Sequence, residues 1–200
     1  MRTHIPVFTE DKEREIVKNP DSDDFNFLLE GDNLHSLRLL EKMHRGKIDV
    51  IYIDPPYNTG NSLRYNDTIV GNEDAYKHSK WLSFMYERLK MSYSLLNNNG
   101  VIFISINDFE GAQLKLICDE IYGEKNFIGQ LTWESTTQPT NAGSARFSLQ
   151  KKVESIYCYA KNKAIRNSFI LKELESGLKY PHNGKLGMCR LEIIEKRSVI

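Results

Sequence analysis

The chain has 200 residues, 40% of them hydrophobic, and its 27 Lys and Arg residues are balanced by 27 Asp and Glu residues. That length suits one domain with at most a small appendage, and the zero net charge excludes a protein that holds nucleic acid through an overall basic field. No uncharged stretch approaches the roughly 20 apolar residues of a membrane span, and the amino terminus lacks the apolar segment of a signal peptide. The three cysteines are far apart and lack metal-type spacing, so we expect no metal site and a reducing, cytoplasmic location.

The predicted elements begin after an amino-terminal arm. Residues 1–24 mix charges without a clear period, which predicts an arm or a short capping helix. Residues 25–29 are predicted to form a short strand. Apolar residues then recur at helical spacing over residues 34–43, which predicts a helix with Asp32 or Asn33 as its N-cap.

A second strand leads into a cluster of unusual residues. The nearly unbroken apolar run at residues 48–53 predicts a parallel strand that is covered on both faces. It is followed by the Asp-Pro-Pro-Tyr segment, residues 54–57, and by a long polar loop over residues 58–75. Two consecutive prolines fix φ at about −65° and remove two backbone donors, so this segment is stiff. Ligands bind beyond the carboxyl ends of parallel strands, and the segment is therefore predicted to be a chemical site.

The rest of the pattern predicts an α/β fold. A helix is predicted over residues 76–96, a strand over 101–106 and a third helix that ends at Gly123. Two strand-like runs follow at residues 127–133 and 153–159. Strands that alternate with helices and end in two successive strands predict a mostly parallel sheet with an antiparallel end.

The Asp-Pro-Pro-Tyr segment has the chemistry needed to transfer a methyl cation to an amino group conjugated to an aromatic ring. Such an amine is a weak nucleophile because its lone pair is delocalised. Hydrogen bonds from its hydrogens to the Asp54 carboxylate and the Pro55 carbonyl would make it nucleophilic. Tyr57 offers a face on which a planar base can stack, an interaction worth about 1–3 kcal/mol. A base inside a duplex is out of reach, so it must be flipped out.

Four segments together resemble the amino-terminal half of amino-methylating DNA methyltransferases, above all the Mod subunits of type III restriction-modification systems. They are Leu-Glu-Gly-Asp-Asn-Leu at 29–34, the strand with Asp-Pro-Pro-Tyr-Asn-Thr-Gly at 49–60, His-Ser-Lys-Trp-Leu-Ser-Phe-Met with Arg-Leu at 78–89, and Gly-Val-Ile-Phe-Ile-Ser-Ile at 100–106. The likeness implies a Rossmann-like, S-adenosylmethionine-dependent methyltransferase fold. It also implies methylation of the exocyclic nitrogen of adenine in double-stranded DNA, with a restriction (Res) subunit and a second Mod copy as partners.

The resemblance also implies roles for individual residues. The catalytic residues would be Asp54, Pro55, Pro56 and Tyr57. Asp32 and Asn58 would contact the cofactor, although the sequence leaves a helix N-cap open as the role of Asp32.

Basic residues in the two long polar loops are predicted to contact DNA phosphates, with solvated loop charges as the alternative. They are Arg64, Arg146, Lys151 and Lys152. Trp81 is predicted to be a core residue, and no catalytic role is assigned to His78.

The resemblance predicts that the fold is incomplete in this chain. In these methyltransferases a Phe-x-Gly-x-Gly cofactor loop follows the target-recognition region, and this sequence contains no such loop. We therefore expect a catalytic region at residues 25–165 and, at 166–200, the start of a target-recognition or connecting region. Two alternatives stay open. The chain could be an inert DNA-binding or structural module that needs a carboxyl-terminal half or a partner, or it could belong to an enzyme that methylates the amino group of cytosine.

Overall fold

The computed structural model describes residues 7–14, 26–59, 76–134, 152–165, 182–184 and 187–189. Its helices are α1 (Asn33–His44), α2 (Lys77–Leu95) and α3 (Gly111–Cys118). Its strands are β1 (Ile48–Ile53), β2 (Leu96–Ile106), β3 (Phe127–Glu134), β4 (Val153–Ala160), β5 (His182–Gly184) and β6 (Gly187–Cys189). Short helical turns occupy Lys12–Arg14, Asp119–Gly123 and Glu124–Asn126.

The main sheet has the strand order β1-β2-β4-β3. β1 runs parallel to β2, whereas β4 runs antiparallel to both β2 and β3. The predicted α/β class with an antiparallel end is confirmed, but two of the three pairings described in this sheet are antiparallel, so the described sheet is mixed rather than mostly parallel. Because β4 runs against β2, the start of β4 lies at the same edge of the sheet as the carboxyl ends of β1 and β2.

Helix α2 packs its apolar stripe against the sheet. Trp81, Met85 and Leu89 recur every four residues and are buried, as the predicted helical stripe required. They join Ile102 and Ile104 of β2 in one hydrophobic cluster. Among the helices that the described residues form, none has the length and hydropathy that crossing a bilayer would require.

Asp32 is the N-cap of α1. Its Oδ1 accepts hydrogen bonds from the backbone N–H groups of Leu34 (2.9 Å) and His35 (3.3 Å). Burial acts to raise the pKa of Asp32, but these two N–H groups and the nearby Arg88 together lower it below its ordinary value. The capping role that the sequence left open is therefore confirmed.

Two predictions about the strands and helices are wrong. Residues 26–29 form no strand, and Leu28 is 92% exposed. A strand needs a neighbour to complete its backbone hydrogen bonds, and no described strand lies beside these residues. Helix α2 also ends one residue earlier than predicted, and Leu96 already pairs with Ile48 as part of β2.

Among the described residues, strand β1 is covered on one face only, which corrects the prediction of cover on both. Ile51 is buried, whereas Val50 and Tyr52 on the other face are 48% and 43% exposed. β1 is the edge strand of the described sheet, and α2 covers the opposite face. The apolar run predicted the strand correctly, but composition does not determine whether a second layer covers it.

Gly100 tests how tightly β1 and β2 are joined. A Cβ at this position would lie 2.9 Å from the Ile48 carbonyl oxygen and 2.9 Å from Cδ2 of Leu96. We expect Gly100→Ala to lower the free energy of unfolding by about 1–3 kcal/mol, because backbone atoms must move to admit the methyl group. Urea denaturation followed by circular dichroism measures the change.

Gly129→Ala in β3 is the matched control, since a Cβ there meets nothing within 4 Å. Its free energy of unfolding should change by less than about 0.5 kcal/mol. Equal losses in both variants would show that crowding at Gly100 is not the cause.

Candidate active site

The Asp-Pro-Pro-Tyr segment lies where β1 ends, beside the end of β2 and the start of β4. Asp54 is exposed, Pro55 is buried and Tyr57 is half-buried. The segment therefore presents a carboxylate to solvent on a backbone that packs into the protein. All four predicted catalytic residues are thus together at one sheet edge.

Trp81 of α2 fixes the second proline of the segment. Its indole Nε1–H donates a hydrogen bond of 2.7 Å to the Pro56 carbonyl, and the side chain is fully buried. The core position predicted for Trp81 is confirmed, but this hydrogen bond was not foreseen. Trp81 therefore engages the Pro56 carbonyl and not the Pro55 carbonyl, which is the one predicted to accept an amine hydrogen.

Tyr57 lies between two carboxylates. Its hydroxyl donates a long hydrogen bond of 3.4 Å to Oε2 of Glu154 on β4. Burial, together with the neighbouring carboxylates of Asp54 and Glu154, raises the pKa of Tyr57 well above its ordinary value. The phenol therefore stays protonated and neutral across the physiological pH range.

A buried polar cluster lies behind the segment. Glu110 is fully buried at the start of α3, and its Oε1 accepts hydrogen bonds from Nδ2 of Asn58 (2.6 Å) and from Nδ1 of His78 (2.9 Å). Asn58 is also buried and has φ 56°, in the left-handed region that Asn adopts more readily than most residues. Within the described part of the chain, Oε2 of Glu110 and Oδ1 of Asn58 have no hydrogen-bond partner.

The polar end of β2 contributes local structure to the same edge. The buried Ser105 shares a short hydrogen bond with the hydroxyl of Tyr52 across the parallel pairing. Asn107 accepts a hydrogen bond of 3.0 Å from the backbone N–H of Phe109, which shapes the turn into α3.

The structure brings some of the remaining predicted residues to this edge. Lys152 is exposed immediately before β4, at the end of the sheet that carries Asp54. The side chain of Asn58 turns inward to Glu110, and Asp32 caps α1. Three predicted DNA contacts, Arg64, Arg146 and Lys151, lie outside the described residues.

Sequence reasoning missed Glu110. The residue comes directly after the polar end of a strand, Asn107 to Phe109, and directly before a helix. An acidic residue is common at such a position and does not by itself indicate a site. The pattern carries no sign that the carboxylate is buried or that it faces Asn58 from a point 52 residues along the chain.

The family model described as DNA methylase matches residues 48–186, and the chain belongs to this family. It is 39% identical over 139 residues to a probable type III restriction-modification enzyme HindVI Mod subunit of Haemophilus influenzae, covering 69% of this chain and 18% of that protein. It is 38% identical over 164 residues to the type III EcoPI Mod subunit of Escherichia phage P1, covering 70% of this chain and 25% of that protein. It is also 38% identical over 134 residues to the type II methyltransferase M.KpnI of Klebsiella pneumoniae, covering 66% and 31%.

These similarities confirm the resemblance to Mod subunits that the four segments carried. The chain spans between 18% and 31% of the lengths of these three relatives.

Trp81 provides a test of how the segment is anchored. Trp81→Phe keeps most of the buried ring but leaves the Pro56 carbonyl without its donor. We expect the free energy of unfolding to fall by about 1–3 kcal/mol. Urea denaturation of the two proteins provides the comparison.

Trp133→Phe is the control, because Trp133 is the other tryptophan of the chain and is 62% exposed. Its effect should stay within about 0.5 kcal/mol. A Trp81 variant as stable as this control would mean that the hydrogen bond to Pro56 does not stabilise the fold.

Proposed function

We propose that this chain is the base-binding, catalytic part of an S-adenosylmethionine-dependent DNA methyltransferase that acts on the exocyclic amino group of adenine. Membership of the DNA methylase family supports methyl transfer to DNA. One observation carries the proposal: a solvent-facing Asp54 carboxylate stands at a strand end on a backbone that Trp81 holds in place. Aspartate at this position favours adenine by resemblance, since methylases of cytosine amino groups more often have serine there.

The segment would act on the amine by hydrogen bonding. The Asp54 carboxylate and the Pro55 carbonyl each accept one amine hydrogen, which directs the nitrogen lone pair away from the ring and toward the methyl group. Asp54 would also take up the proton that the amine loses when it is methylated. Tyr57 stacks on the base, and its neutral phenol keeps a further charge out of the pocket. Alignment of the reacting atoms supplies most of the rate.

S-adenosylmethionine, when bound, supplies the electrophilic methyl group. Asp32 fits a polar group of this cofactor, because its exposed carboxylate is ionised at neutral pH. Asn58 fits less well, since its amide nitrogen is engaged by Glu110 and only the buried Oδ1 remains unpaired.

The proposal extends to the partners of the whole protein. Lys152 lies at the Asp54 edge and would contact DNA phosphates together with Arg64, Arg146 and Lys151. A Res subunit and a second Mod copy follow from the resemblance to type III systems. Cys118 and Cys158 are buried thiols, which supports a cytoplasmic location.

We propose the same division of the chain as the sequence indicated, with an arm at 1–24, a catalytic region at 25–165 and a connecting or target-recognition region at 166–200. The family match over residues 48–186 supports the catalytic region and extends beyond its proposed end at residue 165.

A second candidate is that the chain alone is an inert module. The observation that favours it is the face of β1 that carries Val50 and Tyr52, which no described element covers. A parallel strand of an α/β sheet is ordinarily covered on both faces. In this proposal, activity appears only when a further part of the protein or a partner covers β1.

Asp54→Ala tests the catalytic assignment. In the whole protein we expect methyl transfer to a DNA duplex to fall by at least about 100-fold, because the acceptor for the amine hydrogen is lost while the exposed position leaves the fold unchanged. Transfer of a radioactive methyl group measures the rate, and circular dichroism checks the fold.

Asp49→Ala is the control, with the same residue type exposed near the opposite end of β1. Turnover in the Asp54 variant equal to that of this control would refute the assignment.

Calorimetric titration separates the enzyme from the module. For this chain alone we expect S-adenosylmethionine to bind with a Kd above about 1 mM, which corresponds to a binding free energy weaker than about −4 kcal/mol. The reason is that the sequence lacks the Phe-x-Gly-x-Gly loop that the family uses for the cofactor. Micromolar binding would contradict the module proposal.

A further inference from the structure

We propose that Glu110 is a positioning residue that holds the Asp-Pro-Pro-Tyr segment in its reactive geometry through Asn58 and His78. The inference rests on the proposed function and assigns a role to a residue that does not touch the base. Glu110 joins three elements: the chain that leaves the segment, the first turn of α2 and the start of α3.

The hydrogen bonds form a closed ring around Tyr57. Trp81 holds the Pro56 carbonyl, one residue before Tyr57, and Glu110 holds Asn58, one residue after it. His78 and Trp81 are three residues apart on α2 and so lie on the same face of the helix. The residue proposed to stack on the base is therefore fixed on both sides through a single helix.

The carboxylate also stabilises an unusual backbone conformation. Asn58 has φ 56°, which costs an L-residue free energy relative to the right-handed region. A hydrogen bond of 2.6 Å to a carboxylate is short and strong enough to offset that cost. Without Glu110, Asn58 would lose the interaction that sets the direction of the chain immediately after Tyr57.

The burial of Glu110 argues against a role limited to stability. A buried carboxylate carries a desolvation penalty, and apolar side chains of similar size often stabilise a core as well or better. Glu110 is fully buried and its Oε2 has no partner among the described residues, so this arrangement is not the one that stability alone would favour.

Trp81 provides a direct readout of the segment, because it touches Pro56 and is one of two tryptophans. In a Trp133→Phe background, fluorescence excited near the red edge of tryptophan absorption comes from Trp81 alone. Quenching by acrylamide then reports how well the segment covers the indole ring.

Asn58→Asp should raise the acrylamide quenching constant at least about threefold, because two carboxylates then face each other where an amide donated to a carboxylate. Asn58→Asp combined with Glu110→Gln exchanges the positions of the amide and the carboxylate. This double variant should bring the quenching constant back to within about twofold of the value for the Trp133→Phe background. If Asn58→Asp fails to fold, Glu110→Gln alone, which removes the charge and keeps the shape, should still raise the constant. Unchanged quenching in the folded variants, or no recovery in the double variant, would overturn the proposal.

Methyl transfer by the whole protein gives a second readout. Glu110→Gln should lower kcat at least about tenfold and leave KM for DNA within about threefold, because misplaced reacting groups slow chemistry more than binding. A variant that loses thermal stability but keeps kcat would show that Glu110 is only structural.

Tyr122→Phe is the matched control. The Tyr122 hydroxyl is buried and forms a hydrogen bond of 2.6 Å with Ser92, about 21 Å along α2 from His78. This variant should lose stability without a change in Trp81 quenching or kcat. If the whole protein, without substitutions, transfers no methyl group, the proposed function fails, while the Trp81 readout still decides whether Glu110 positions the segment.

Discussion

The parallel pairing of β1 with β2 is the constraint on which the rest of the structure depends. Ile53 pairs with Ile104, and the next residue of β2, Ser105, pairs with Ile156 of β4. This register brings the end of β1, the end of β2 and the start of β4 to one edge. Because both parallel strands deliver polar residues there, a site forms from segments that are about 50 to 100 residues apart in sequence.

The predicted site contains both exposed and buried groups, and they have different roles. Asp54 is exposed and can meet a ligand, whereas Pro55, Trp81 and Glu110 are buried and set where that carboxylate stands. The buried polar groups are the costly part of this design, since each must be desolvated. Hydrogen bonds to Trp81 and Asn58 offset much of that cost and leave the Asp54 carboxylate in water.

The sequence predicted the features that local chemistry determines. Spacing of apolar residues located α1, α2 and β1, and two prolines marked a stiff segment before any fold was known. It failed where the outcome depends on distant parts of the chain. Residues 26–29 have the composition of a strand but pair with none of the described strands, and the inward turn of Glu110 depends on a residue 52 positions away. Pairing partners and burial are tertiary properties, so a pattern of nearby residues does not contain them.

The open side of β1 has a consequence for how such a protein is made. Among the described strands, β1 has a neighbour on one side only, so its other backbone edge can accept a strand from any source, including a second molecule. Asp49 within the strand and Asp54 just beyond it are exposed acidic residues near its two ends. Repulsion between these carboxylates and those of another copy disfavours edge-to-edge pairing, so Asp54 would also protect the newly made chain from aggregation.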